Sequence, residues 1–294
     1  MKSVAVYNNK GGVGKSTISL FLADFFATMK LAGKLSRILV IDLDAQNSSS
    51  NALLGIKTVS EARLNKQTIS HLLFKLALKE KTDPDPFLIK RLKNTTPNRK
   101  KPLCELSVMM TDRMNSLSFE KKCTKTGLKV LSKKLKSLLN EKFDFIFIDL
   151  PANIDERNKL SQLGLMLSDY ILIPTEPSRI AINSLPDTLK NIQSISQLSQ
   201  KNFQEPGLIG LLLNKTDKRT KQYKLHNKDL SEFAASNEIS IFKNFLPHSS
   251  TLCSASDDSI SFGSLKDRYD NNYEHVRKVS MELAGKIGFQ VSKK

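Results

Sequence analysis

Short apolar runs bounded by turn residues recur along the chain, and stretches with a helical repeat lie between them. The runs at 3–8 (SVAVYN), 37–43 (RILVIDL), 105–110 (ELSVMM), 143–150 (FDFIFIDL), 170–175 (YILIPT), 208–214 (LIGLLLN) and 239–245 (ISIFKNF) predict strands. Most are apolar on both faces, as expected of strands covered by helices on each side of a parallel sheet. Leu185, Leu189, Ile192, Ile195 and Leu198 fall on one stripe. That spacing predicts a helix over 184–198, with Ser184 as N-cap and Pro186 in its first turn. Tyr273, Val276, Val279, Leu283 and Ile287 predict a closing helix. Alternating β and α units of this kind predict an α/β fold: a doubly wound, mostly parallel sheet flanked by helices, as one domain over 1–294.

One stretch departs from the alternation. Residues 79–102 (KEKTDPDPFLIKRLKNTTPNRKKP) carry eight basic residues, three acidic ones and four prolines. They read as a basic surface excursion with a short helix around 86–93. No internal repeat or low-complexity tract interrupts the rest.

Charge changes the picture further. Lys+Arg 46 against Asp+Glu 29 gives a net +17, which points to a polyanionic partner, nucleic acid or an anionic membrane face. A lysine-rich solubilising surface is the plainer alternative. No run of about eighteen apolar residues indicates a membrane span, and the opening strand and glycine loop carry no signal-peptide pattern. Cys104, Cys123 and Cys253 are widely separated. They form no CxxC pair, so neither a disulfide framework nor a zinc or iron–sulfur site is indicated. The expected location is cytoplasmic.

The densest chemistry lies in NNKGGVGKST, Asn8 to Thr17, between the first strand and the helical ISLFLADFFATM. That context is what a phosphate-binding loop requires. Gly11, Gly12 and Gly14, with Val13 between them, let successive backbone N–H groups turn toward phosphate oxygens at a helix N-terminus. Lys15 would reach the β- and γ-phosphates, and Ser16, followed by Thr17, would offer its hydroxyl to Mg²⁺. The ordinary loop has glycine six residues before this lysine, where Asn9 stands here. Lys10 is a second lysine, ahead of the glycines.

Downstream, ILVIDLDAQNSSS places Asp42 and Asp44 at the end of the second apolar strand. Their i, i+2 spacing puts both on one face of an extended chain, at the edge where a doubly wound sheet binds ligands. FDFIFIDLPAN ends a third strand on Asp149. A carboxylate there can hold Mg²⁺ through a water, with Pro151–Ala152 opening a switch segment.

The form K-G-G-x-G-K-[ST] resembles the deviant Walker A motif of the ParA/MinD family of ATPases, which includes Soj-type partition proteins and belongs with SIMIBI-like P-loop NTPases. D-L-D-A-Q at 42–46 is similar to the family's D-x-D-P-Q, with alanine in place of proline, and Asp149 looks like the end of a Walker B strand. The resemblance runs from residue 2 to about 288 and is least secure over 56–125. It implies that Lys10 reaches across a nucleotide-sandwich dimer to the partner's phosphates. It further implies that Asp44 orients or activates the attacking water and that Asp42 supports the Mg²⁺ shell. A lysine beside the glycines cannot easily serve the same phosphates as Lys15, but it can supply transition-state charge in trans.

By the same resemblance Asn214, ending LLLN, contacts the adenine edge. Asn214–Asp217 also spells N-K-x-D, similar to the guanine-reading motif of GTPases; the loop and Asp44 favour ATP. Basic residues cluster at 79–101, 121–142 and 214–228. In the second cluster Leu128, Leu131, Leu135 and Leu138 predict a buried stripe that leaves Lys129, Lys133 and Lys136 exposed. The third cluster lies near the nucleotide site and is the better DNA candidate, through Lys215, Lys218, Arg219 and Lys221. Lysines without interleaved aromatics suit backbone phosphates and not base reading. No helix-turn-helix fits into the nine residues before the loop.

The residues alone support a nucleoside triphosphatase switch with a basic surface; the family resemblance implies an ATP-dependent homodimer using ATP and Mg²⁺, binding DNA non-specifically at the nucleoid. It would partition plasmid or chromosomal DNA with a ParB-like partner that stimulates slow hydrolysis. A MinD-like membrane-positioning ATPase is the alternative. The ending ELAGKIGFQVSKK has few bulky apolar residues, so no stable membrane anchor is expected. A metal-cluster carrier would need the paired cysteines that the chain lacks, and a non-catalytic nucleotide-binding scaffold would show no turnover dependent on Asp44.

Overall fold

The computed structural model describes residues 1–31, 33–91, 105–152, 158–198, 205–257 and 264–289, with 196–198 described by backbone alone. Its strands are β1 (Lys2–Val6), β2 (Lys30–Leu31), β3 (Lys34–Leu35), β4 (Arg37–Asp42), β5 (Ile89–Lys90), β6 (Glu105–Met110), β7 (Phe145–Asp149), β8 (Tyr170–Thr175) and β9 (Gly207–Leu213). The first helices are α1 (Lys15–Ala27), α2 (Ser48–Leu54), α3 (Ile56–Leu64), α4 (Ile69–Ala77), α5 (Arg113–Lys122), α6 (Lys125–Asn140) and α7 (Lys159–Leu167). They are followed by α8 (Arg179–Asn183), α9 (Leu185–Leu198), α10 (Lys221–Ser236), α11 (Ser250–Ser254), α12 (Leu265–Tyr269) and α13 (Tyr273–Lys286).

Seven strands form one sheet in the order β5-β6-β4-β7-β1-β8-β9, and β2 and β3 make a separate antiparallel pair. Every neighbour pair in the large sheet is parallel except β5 with β6. The expected doubly wound α/β fold is therefore present. Alternate residues of each strand feed two cores, because successive side chains leave a strand on opposite faces. Val4, Val40, Phe147 and Leu172 pack with α1, α2 and α13; Ala5, Ile41, Ile148 and Ile173 pack with α4, α6 and α7. α1 is apolar nearly all round because it lies between the sheet, α2 and α13.

Several local expectations are corrected. The run 239–245 is not a strand of the sheet. It touches β9 through one isolated parallel bridge, Leu211 to Ile241. Beyond it, the N–H groups of Lys243 and Asn244 donate to the Glu282 carboxylate of α13, at 2.7 and 2.9 Å, instead of extending a ladder. β9 also carries an extra residue against β8, where the register shifts beside Ile171–Leu172. Gly210 follows at φ +143°, and a Cβ there would meet the Ser240 carbonyl oxygen at 2.3 Å. Only glycine permits that approach.

Within 79–102, a 3₁₀ turn at Asp85–Phe87 and strand β5 replace the expected helix; residues 92–102 lie outside the described set, as does Cys104. Ser184 does not cap α9. It closes α8, its hydroxyl donating to the Ala181 carbonyl at 2.7 Å, while Leu185 continues directly into α9. The side chain of Leu198 also lies outside the described residues. In α6, Leu139 is buried in place of Leu138, which is half-buried. Lys136 is not free on that face, since it pairs with Asp169 at 2.6 Å. Among the described residues no helix is long and apolar enough to cross a membrane.

Candidate nucleotide site

The glycine loop joins β1 to α1. Gly12 and Gly14 hold φ of +78° and +88°, the left-handed region that costs glycine nothing. Gly14 is the N-cap of α1 and brings no side-chain acceptor, so the first helical N–H groups stay available to an anion. The loop is clamped from behind by residues distant in sequence. Asn8 is buried, donates to the Pro174 carbonyl at 2.7 Å and accepts the Lys10 N–H at 2.8 Å. Thr188 of α9 accepts the Asn9 N–H at 3.1 Å, and Asn191 donates to the Tyr7 hydroxyl at 2.9 Å.

Lys15 is buried, its ammonium donating to the carbonyls of Asn8 and Lys10 at 3.0 and 2.9 Å. Burial lowers its pKa, opposed by the charges of Asp149 and Asp44.

Lys10 lies at the loop's mouth, its side chain 23% exposed, and pairs with Glu176 at 3.4 Å. Lys215 pairs with the other oxygen of the same carboxylate at 3.0 Å and donates to the Gly12 carbonyl at 2.6 Å. Glu176 thus joins the two cations nearest the loop. Asn214 is also brought in, donating to the Val13 carbonyl at 2.8 Å.

Asp42 and Asp149 are register partners at the ends of β4 and β7, and both are fully buried. Both pKa values are raised, in each case by burial first. For Asp149 the neighbouring Asp42 charge adds to the rise, while the hydroxyls of Ser16 and Ser49 oppose it. Asp42 is well served: one oxygen accepts the Asp44 N–H at 3.2 Å, the other the Ser50 N–H and hydroxyl at 2.8 and 2.7 Å. It braces the start of α2. Asp149 accepts the Ser49 hydroxyl at 2.9 Å on one oxygen, and its other oxygen, Oδ1, is buried with no hydrogen-bond partner. A partnerless buried carboxylate oxygen near a P-loop hydroxyl is what a divalent cation satisfies. Ser16 and Asp149 therefore fit Mg²⁺, and Asp42 would have to release a donor to join them. Among the described residues no group of three or more His, Cys, Asp or Glu converges on a metal position, so such an ion would draw on the nucleotide's own phosphates. Asp44 is half-buried just past β4 and accepts the Gln46 N–H at 3.0 Å.

The N-K-x-D tetrad does not present a bare carboxylate. Asp217 is clasped by Arg219 at 3.0 and 2.9 Å, and that contact holds its carboxyl down to about 2. Of the four expected DNA contacts, Lys218 and Lys221 are exposed, Arg219 is tied to Asp217, and Lys215 sits at the loop. Glu176, Thr188 and Asn191 escaped sequence reasoning; nothing near them in sequence marks them.

A glycine loop between a parallel strand and a helix, with carboxylates at the neighbouring strand ends, defines a P-loop nucleotide-binding domain. A family profile described as an AAA domain matches residues 1–205. The chain belongs to the ParA/Soj/MinD/McdA family of P-loop ATPases. The maintenance of carboxysome distribution protein A of Synechococcus elongatus is 27% identical over 245 residues, 81% of this chain and 84% of that protein. The sporulation initiation inhibitor protein Soj of Bacillus subtilis is 26% identical over 223 residues, 74% of each. In structure, an McdA–ATP complex from Cyanothece matches with a TM-score of 0.73 at 19% identity, over 100% of this chain and 99% of that one.

Proposed function

We propose that this ATPase is a dimeric switch that binds DNA non-specifically when loaded with ATP and partitions plasmid or chromosomal DNA with a ParB-like partner. The observation that carries the reading is Lys10. Lys15 already fills the interior of the loop, and a second, partly exposed lysine at its mouth supports a role on phosphates other than its own.

Lys15 and the loop N–H groups bind the β- and γ-phosphates, exchanging the present carbonyl partners for phosphate oxygens. Ser16 and Asp149 would hold Mg²⁺, which would supply charge neutralisation for the phosphates. Asp44 accepts a hydrogen bond from the attacking water. That water's oxygen bonds to the γ-phosphorus as the bond to the β-phosphate bridging oxygen breaks, giving ADP and phosphate. Lys10 of each subunit steadies the developing charge across the dimer. Lys218 and Lys221 contact DNA phosphates, with Lys215 joining them if nucleotide draws it from Glu176.

The likeness to the carboxysome distribution protein supports a second reading for the cargo, a protein body in place of DNA.

The test is binding of the protein to random-sequence duplex DNA with ATP, with ADP and without nucleotide, across a salt series. Binding that requires ATP and weakens steeply with salt is expected. Equal affinity in all nucleotide states, strict sequence selectivity, or ATP-dependent binding to anionic vesicles alone overturns it.

A further inference from the structure

On the sheet face covered by α4, α5 and α6, these three helices leave an open groove of about 610 Å³. Its floor is apolar: Leu76, Phe119 and Leu131 are buried, and Phe74 meets Phe119 edge-on at 5.9 Å between ring centres. The rim carries bulky apolar side chains facing solvent, Leu78 at 72% exposure and Val130 at 50%. Helix surfaces usually keep such residues inward, and a cluster of them beside an apolar hollow marks a contact surface.

The charge around the groove has one sign. Lys79, Lys122 and Lys134 line it, and no Asp or Glu does. Lys134 crosses from α6 to donate to the Leu76 carbonyl at the end of α4, at 3.2 Å, a bond between the groove's walls. The walls are helix surfaces, with no free strand edge to extend, so an added strand is not the mode of binding. An amphipathic helix is. Its apolar residues at i, i+3 or i+4, and i+7 would enter the hollow, and carboxylates on its flanks would meet the lysines.

We propose that the groove between α4, α5 and α6 docks an acidic amphipathic helix of a partner protein. This surface is separate from the loop that holds nucleotide, and the proposal does not depend on the DNA-partition reading. It does connect to the ATPase site, because α6 packs along α7, the helix that follows the segment after Asp149. Lys122 and Lys134, two lysines of the basic stretch 121–142, thereby acquire a specific use in place of general solubility.

The experiment uses the full chain and a fluorescein-labelled peptide of about four helical turns, leucine on one face and glutamate on the other, read by fluorescence anisotropy. A shuffled peptide of the same composition, a lysine-for-glutamate peptide and palmitate are run beside it. Saturable binding of the acidic helix is expected, with hydrogen-exchange protection over 122–131. Val130→Glu should weaken it about tenfold or more, and Lys122→Glu should weaken it with a shallower salt dependence. Both residues are exposed, and both variants should retain nucleotide binding and the far-UV spectrum. Equal binding of the shuffled peptide, no effect of Val130→Glu in a folded variant, or protection elsewhere overturns the proposal. Saturable binding of palmitate alone also overturns it, in favour of a small amphiphile.

Discussion

Lys10 and Glu176, 166 residues apart in sequence, meet through Nζ and Oε2 at 3.4 Å at the mouth of the phosphate loop. The same carboxylate holds Lys215. A lysine proposed to act in another subunit's site is thus paired within its own subunit. Lys10→Ala should keep nucleotide binding within about threefold through Lys15, yet lose hydrolysis and ATP-dependent dimers. Glu176→Gln should act oppositely, tightening ATP-dependent dimerisation about two- to fivefold, the scale of a partly exposed ion pair. Sedimentation velocity with ATP and with ADP decides between these outcomes. An active Lys10→Ala monomer would refute the role in trans.

Gly14 faces Asn214 so closely that a Cβ would lie 2.2 Å from the Asn214 amide nitrogen, at a φ of +88°. Gly14→Ala is expected to cost about 1–3 kcal/mol of stability and to weaken nucleotide affinity tenfold or more, on the order of a lost anchoring contact. Asn214→Ala relieves the collision but loses the bond to Val13. The double variant should therefore be more stable than Gly14→Ala alone, a coupling that denaturant melts of all four proteins measure.

Asp149 keeps a buried oxygen with no donor and faces Asp42 across the strand register. Asparagine would relieve the cost that burial and the Asp42 charge impose on this carboxylate in the folded chain. Asp149→Asn should raise the melting temperature of the nucleotide-free protein by about 2–5 °C and reduce hydrolysis by more than about a hundredfold. The two effects are read by calorimetry and phosphate release. A destabilised variant would show that the lone oxygen has an unrecognised donor.

Asp24 of α1 is fully buried against Arg91 and Arg268 and accepts the Tyr269 hydroxyl at 2.9 Å. Burial alone would raise its pKa, but the two guanidinium groups outweigh burial and hold it below the usual carboxylate range. A depressed folded pKa means that the stabilisation is fully present above about pH 4 and fades as pH falls through the folded value. Asp24→Asn should cost about 3–5 kcal/mol at pH 7, since it leaves buried guanidinium groups uncompensated. The gap between variant and native protein should narrow in urea melts at pH 3. A constant gap would assign the loss to packing alone.

Lys218 and Lys221 stand exposed near the nucleotide loop, with Lys218 4.4 Å from the centre of the Phe245 ring. Replacing both by alanine should lower the log–log salt slope of DNA binding by about two and weaken all sequences alike. An unchanged slope would move the DNA face elsewhere.

The short strands β2, β3 and β5 were not legible in the sequence, whereas the six parallel strands of the large sheet, their two-faced burial and the glycine loop were. Each rests on interactions within a few residues: alternation of side chains along a strand, a helix turn, a left-handed glycine. It also marked Asp42, Asp44 and Asp149 as neighbours of the loop, because parallel strands carry their ends to one edge. ISIFKNF read as a strand because its residues suit one, yet Glu282 on a distant helix captures the N–H groups a ladder would need. Ser184 read as a cap, yet its N-terminal neighbours are already helical. The partners of the loop were decided by tertiary structure alone. β8 lies beside β1, and that adjacency brings Pro174, Glu176 and Thr188 to Asn8, Asn9 and Lys10 from more than 160 residues away. Strand pairing across the sheet is fixed by how two whole cores pack, and a hydrogen bond made at that distance leaves no local periodicity to read.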